Sequence, residues 1–126
     1  MAQNTTKAAS FIAKLLHGVT AAHMLHLQAK GKGSFAKHKA LGVLYDELSD
    51  QADALAEEYF GAYQLIESYP TETFTPASDA LIFVQELYEF VLTNRNDMGA
   101  ETHLQNSIDS ILTLLSTSAY KLRYLE

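Results

Sequence analysis

The chain has 126 residues, 48% of them hydrophobic and 10% aromatic, with no cysteine and a formal net charge of −6. That length fits one domain over residues 1–126 with a proper core. The lack of cysteine excludes disulfides, thiolate metal sites and cysteine nucleophiles. No apolar run approaches the roughly 18–20 residues of a membrane span, and Met1–Lys7 has no apolar signal core, so a cytoplasmic protein with no membrane partner is expected. Charge is unevenly placed. Residues 1–45 carry Lys7, Lys14, Lys30, Lys32, Lys37 and Lys39 and no acid, whereas residues 46–126 carry all 15 acids and three cations, Arg95, Lys121 and Arg123. So +6 stands against −12. The plainest reading pairs the basic front with the acidic rest, within or between subunits; the alternative is a shell, basic outside and acidic inside, suited to holding cations.

Residues 5–29 are predicted as a first helix. Asn4, Thr5 and Thr6 are all good N-caps. Ile12, Leu15, Leu16, Val19 and His26 then recur at spacings of three, four and seven. His17 and His23 lie on or near this face, where a satisfied core residue is the ordinary role; His23, one turn before His26, also has room to act as a ligand. Lys30-Gly31-Lys32-Gly33 stops the helix, because glycine tolerates the left-handed backbone that helix ends need. Ser34 is read as the cap of a second helix, with Leu41, Leu44, Tyr45, Leu48, Ala52, Leu55, Tyr59 and Ala62 on its apolar side. It is expected to run to about Ile66 unless Gly61 ends or bends it; with a short crossover, either it ends near Tyr63 or the third helix begins part-way along the bundle. The short turn makes the two helices antiparallel neighbours.

Residues 67–75 are the one clear break, marked by Pro70 and by Ser and Thr. Nine extended residues reach at most about 30 Å. The third helix is expected from Thr75, with Pro76 at its first position, and with Ala80, Val84, Leu87, Tyr88 and Val91 as its stripe. Asn94–Gly99 forms a turn. The last helix carries Leu104, Ile108, Ile111, Leu115, Ser118, Leu122 and Leu125 in the alternating three-four spacing of a bundle seam. His103 at its start reads as a surface residue. The predicted fold is therefore all-α, an antiparallel four-helix bundle with a shortened crossover between its second and third helices.

The chemistry concentrates between His26 and Glu57. His26 and His38 flank the Gly-rich turn and can face one another. Asp53 and Glu57 are four apart and share one helix face. Imidazole and carboxylate together suit non-haem iron and other divalent metals. His38 and Glu57, however, are 19 residues apart on one helix, about 28 Å at 1.5 Å per residue. One chain cannot close a single site from all four. Two chains antiparallel about a two-fold axis can, with the histidines of one meeting the carboxylates of the other.

This pattern resembles the Dps-like mini-ferritins, the DNA-binding proteins from starved cells. Their motif is a His, a Gly a few residues on, an aromatic, a second His 12 beyond the first, and Asp and Glu 27 and 31 beyond it. Here those positions are His26, Gly31, Phe35, His38, Asp53 and Glu57, with Ala56 before Glu57 as in the family. Ser68-Tyr69-Pro70 and the Leu-rich final helix are weaker echoes. The resemblance implies a ferritin-like fold and a ferroxidase centre at a two-fold interface, with His26, His38, Asp53 and Glu57 as metal-binding and catalytic residues. It also implies ferrous iron as the metal, oxygen or peroxide as oxidant, and a hollow dodecamer. The chain departs from the family at Gly42, where the family has Asp, and at Leu27, where it has an aromatic. The first departure removes a ligand.

Two other functions fit. A ferritin-like bundle that has lost the chemistry would serve as a structural or interaction module. A DNA-compacting role would rest on Lys30, Lys32, Lys37 and Lys39, which without a longer basic tail predict weak, salt-sensitive binding or none. No Glu-x-x-His motif occurs, which counts against a di-iron site inside one bundle.

Overall fold

A computed structural model describes residues 4–71 and 78–126. Among the described residues four helices make the fold: α1 (Thr6–Gln28), α2 (Ser34–Ala62), α3 (Ala80–Asn94) and α4 (Thr102–Tyr124), with a 3-10 turn at Arg95–Met98. Among the described residues there is no strand.

Local chemistry sets each end. Asn4 Oδ1 accepts the Thr6 amide at 3.0 Å from one residue ahead of the α1 N-cap, Thr5, whose own side chain makes no cap bond. The cap of α2 is Gly33 rather than Ser34: its φ of 78° is left-handed, and Ser34 is already the first helical residue. The expected start of the third helix at Thr75 and Pro76 lies outside the described residues. α3 begins at Ala80, where extended Asp79 accepts the Ile82 amide at 2.9 Å. At the other end of the chain, Leu125 lies past the end of α4 and is exposed rather than part of the seam.

All four helices give their apolar stripes to one core. Phe11 and Leu15 of α1, Leu44 and Leu48 of α2, Val84 of α3 and Ile108 and Ile111 of α4 are fully buried or nearly so. By length and composition α1 is apolar enough to cross a membrane, against the sequence expectation, but 56% of that window is buried inside the bundle, as in a core helix.

Direction follows from what meets what. His26 meets His38 across the first turn, so α1 and α2 are antiparallel. Phe11 packs on Phe90 with ring centroids 5.6 Å apart, and Leu25 borders the same cleft as Ala80, so α1 and α3 are antiparallel. Glu58 bonds Ser107 at one end while Lys37 borders Arg123 at the other, so α2 and α4 are antiparallel. Hence α2 and α3 run in the same direction, and residues 63–79 must travel the length of the bundle. The connection is 17 residues rather than nine, because α2 stops at Ala62 and α3 starts at Ala80. Seventeen residues reach about 56 Å when extended, ample for the roughly 43 Å of α2. The expected shortening is therefore not needed.

The closing corner is built around Arg95. Its Nε donates to Gln105 Oε1 at 2.7 Å, and its Nη2 pairs with Asp109 at 2.6 Å. Gln105 Nε2 donates in turn to the carbonyls of Arg95 and Gly99, at 3.0 and 2.7 Å. This ion pair lies within the acidic half of the chain.

Candidate metal-binding surface

His26 sits in the last turn of α1 and His38 near the start of α2. Their rings stack with centroids 3.6 Å apart and planes 19° from parallel. His26 Nδ1 lies 2.6 Å from the His38 carbonyl oxygen, and His38 Nδ1 lies 2.8 Å from the His26 carbonyl oxygen. A carbonyl only accepts, so both Nδ1 atoms carry their proton and donate. In the neutral rings each Nε2 then keeps its lone pair, and the tautomer is set as it is in metal-binding histidines. The His26 carbonyl, at the α1 C-terminus, also accepts the Ala29 amide at 3.4 Å.

Gly42 explains how the pair fits. A Cβ at this position would lie 3.2 Å from His26 Cε1 and 3.4 Å from its Nδ1. The imidazole thus occupies the space beside residue 42 that a side chain would otherwise take. Tyr45 meets His26 edge-on at 5.3 Å and stacks on His23 at 4.1 Å and 11°. His23 is exposed rather than buried in the core, and its ring is 6.1 Å from that of His26. His17 is half-buried and His103 exposed.

Farther along α2, Asp53 and Glu57 are exposed and come together. The hydrogen bond that a protonated Glu57 donates to the Asp53 carboxylate raises the Glu57 carboxyl above its usual 4.5, followed by repulsion from the Asp53 charge and a smaller desolvation effect. A cation placed there would relieve both carboxylates. The two histidines and the two carboxylates do not meet within the chain. Among the described residues no three His or carboxylate side chains converge on one point. Asp53 is 15 residues beyond His38 on α2, about 22 Å, and Glu57 about 28 Å.

The surface that carries these groups is apolar and charged by turns. At 3.6 residues per turn, Phe35, Lys39, Val43, Asp46, Asp50, Asp53 and Glu57 project from one side of α2. All are exposed, Phe35 at 75%. Beside them the outer stripe of α1 bares Leu16, Met24 and Leu27, the last 70% exposed. One half of the α2 face is apolar and basic, and the other half acidic. Ligand chemistry and the mini-ferritin spacing picked out the histidines and carboxylates but missed the roles of Gly42 and Tyr45, since both depend on how α1 and α2 register.

Residues 26–122 match a family described as a family of unknown function (DUF5856). The chain belongs to that family. The DUF5856 match begins at His26 and takes in His38, Gly42, Asp53 and Glu57 together with α2, α3 and most of α4. Neither the curated proteins nor the solved structures gave a match.

Proposed function

We propose that this DUF5856 protein is a ferritin-like bundle that binds ferrous iron between two copies of itself, oxidises it, and stores or detoxifies the product. The manner is that of the Dps-like mini-ferritins. The observation that carries this reading is the locked histidine pair: two stacked imidazoles, each held through Nδ1, with both Nε2 lone pairs left for a ligand. Parallel α2 and α3 joined by a bundle-length connection are the topology of ferritin-like folds, in support of the same reading.

The α2 face supports a two-fold partner. Placed antiparallel on a second copy, the half bearing Phe35, Lys39 and Val43 meets the half bearing Asp46, Asp50, Asp53 and Glu57. In this arrangement Lys39 is the cation that faces the acidic half of the partner, and docking removes exposed Phe35 and Val43 from water. His26 and His38 of one copy then approach Asp53 and Glu57 of the other, giving two sites per pair. In this arrangement iron gains most from the carboxylate oxygens and less from the neutral imidazoles. Each ferrous ion gives one electron to oxygen or peroxide. Closure of such pairs into a dodecamer rests on the resemblance alone.

Gly42 favours a second reading of the same surface. The position that carries Asp in the mini-ferritins has no side chain, and the His26 ring fills the space beside it. A single metal held by His26, His38, Asp53 and Glu57, with slow oxidation or none, then serves structure rather than storage.

Titration with ferrous iron under anaerobic conditions, followed by addition of peroxide, tests both. Glu57→Ala should nearly abolish binding and His38→Ala should weaken it. Binding without oxidation selects the structural reading. The decisive arm co-assembles His26→Ala/His38→Ala chains with Asp53→Ala/Glu57→Ala chains. A mixed pair holds one intact site and one doubly broken site, so co-assembly should restore part of the binding that each variant lacks. No recovery despite proven mixing refutes the shared site.

A further inference from the structure

The end of the bundle where α1 turns into α2 also receives the C-terminal end of α4. Lys30, Lys32, Lys37, Lys39, Lys121 and Arg123 gather there, six of the nine Lys and Arg in a chain of net charge −6. A cleft of about 340 Å³ opens among them, with Lys32, Gly33 and Lys37 on one wall and Leu122, Arg123 and Glu126 on the other. Gly33 is the N-cap of α2. It supplies no side-chain hydrogen bond, and the first turn of α2 contains no acid. The Ser34 amide is taken by the Gly31 carbonyl at 3.1 Å, so the amides of Phe35 and Ala36 are what the start of α2 offers an anion, in a cleft lined by Lys32 and Lys37. Two acids border this end. Asp79 lines the neighbouring cleft with Lys37, but its Oδ1 is engaged by the Ile82 amide. Glu126 lines the cleft itself.

We propose that this cleft is a binding site for a small phosphate-type oxyanion, held by Lys32, Lys37 and Arg123 at the α2 N-terminus. Arg123 offers a planar fork suited to paired phosphate oxygens, and the two lysines add point charges around them. The cleft is concave and at the small end of ligand sites, which suits a compact anion rather than a polymer. A nucleic acid laid along α2 from here runs onto Asp46, Asp50, Asp53 and Glu57 within a few turns, and like charge repels it. The site is separate from the metal-binding surface and stands whether or not iron binds.

The test uses the full chain with inorganic phosphate as probe, followed by isothermal titration and by backbone amide shifts in about 150 mM chloride, near physiological ionic strength. Saturable binding is expected, with the largest shifts at residues 33–36. Lys32→Gln, Lys37→Gln and Arg123→Gln should each weaken it by about fivefold or more, as loss of a charge-assisted hydrogen bond does. Glu126→Gln should tighten it. All four side chains lie at the surface, and an unchanged melting temperature shows that the fold is kept. Glu101→Gln, at the opposite end of the bundle at the start of α4, should leave phosphate affinity unaltered. The proposal is overturned if phosphate does not compete with chloride, if the triple Gln variant binds it as well as the parent, or if Glu101→Gln abolishes it. It is equally overturned if duplex DNA or phosphatidylserine vesicles bind through these residues while free phosphate does not.

Discussion

Replacing Gly42 by Ala sets two known effects against each other at one atom. A glycine inside a helix costs about 1 kcal/mol relative to alanine. Removing it should raise the melting temperature by about 3–5 °C for a domain of this size. The added methyl, however, would sit 3.2 Å from His26 Cε1 and 3.4 Å from Nδ1. Relief requires the ring to retreat by a few tenths of an ångström, and retreat is blocked. The His38 ring lies 3.6 Å away on its face, and Nδ1 is already 2.6 Å from its acceptor. The ring must give up that hydrogen bond, a net loss of about 1 kcal/mol. The two effects should cancel, leaving urea-unfolding stability unchanged within about 0.5 kcal/mol. Nitrogen-15 NMR of the imidazoles should show the His26 Nδ1 bond loosened. Gly61→Ala is the control: it is on the same helix, has nothing within 4 Å of the new methyl, and should stabilise. A full gain of 3–5 °C for Gly42→Ala with unchanged imidazole signals would falsify the argument that His26 is seated against residue 42.

Two further outcomes are expected. Glu57 in the folded chain holds its proton more tightly than its usual value of 4.5 implies, so the folded state binds more protons than the unfolded chain across that window. The Glu57 contribution to stability should therefore be fully present below 4.5 and be lost as pH rises through the elevated folded value. Asp53→Asn should flatten this decline in unfolding curves taken between about pH 4 and 7; an identical slope in the variant would show that Asp53 is not the cause. Gln105→Ala removes the donor to two carbonyls and the acceptor for Arg95. A loss of about 1–3 kcal/mol is expected, measurable by chemical denaturation, and a loss below 0.5 kcal/mol would mean that water replaces these bonds.

Helix identity was legible because apolar spacing reports burial directly. α1 was expected over 5–29 and runs from Thr6 to Gln28; the α4 seam of Leu104, Ile108, Ile111, Leu115 and Ser118 is buried as expected. Ends were less legible where two signals compete. Ser34 looks like a cap, yet Gly33 reaches the left-handed backbone at no steric cost and takes the role. The start of α3 at Ala80, with Asp79 binding the Ile82 amide, was not read from the sequence. In the candidate site, the facing of His26 and His38 could be read from the Gly-rich turn between them. The reciprocal bonds to backbone carbonyls, the seat at Gly42 and the stacking of His23 on Tyr45 could not. They depend on the axial register of α1 against α2 to within an ångström, and a hydrophobic period fixes only which side of a helix faces inward.

The same-direction course of α2 and α3 has a consequence for how the chain folds. α1 with α2, and α3 with α4, are each local hairpins whose partners lie close in sequence, so each can form early. The bundle is complete only when the hairpins dock and groups such as Glu58 and Ser107, 49 residues apart, come into contact. Closing the 17-residue connection that separates the hairpins adds only a small entropic cost, since that cost grows with the logarithm of length. Local contacts favour rapid folding, and the late docking step exposes one apolar face of each hairpin until it is finished. A hairpin waiting to dock can be met by the complementary hairpin of another chain. Protein concentration during refolding therefore decides between the closed bundle and exchanged pairs of the same helices.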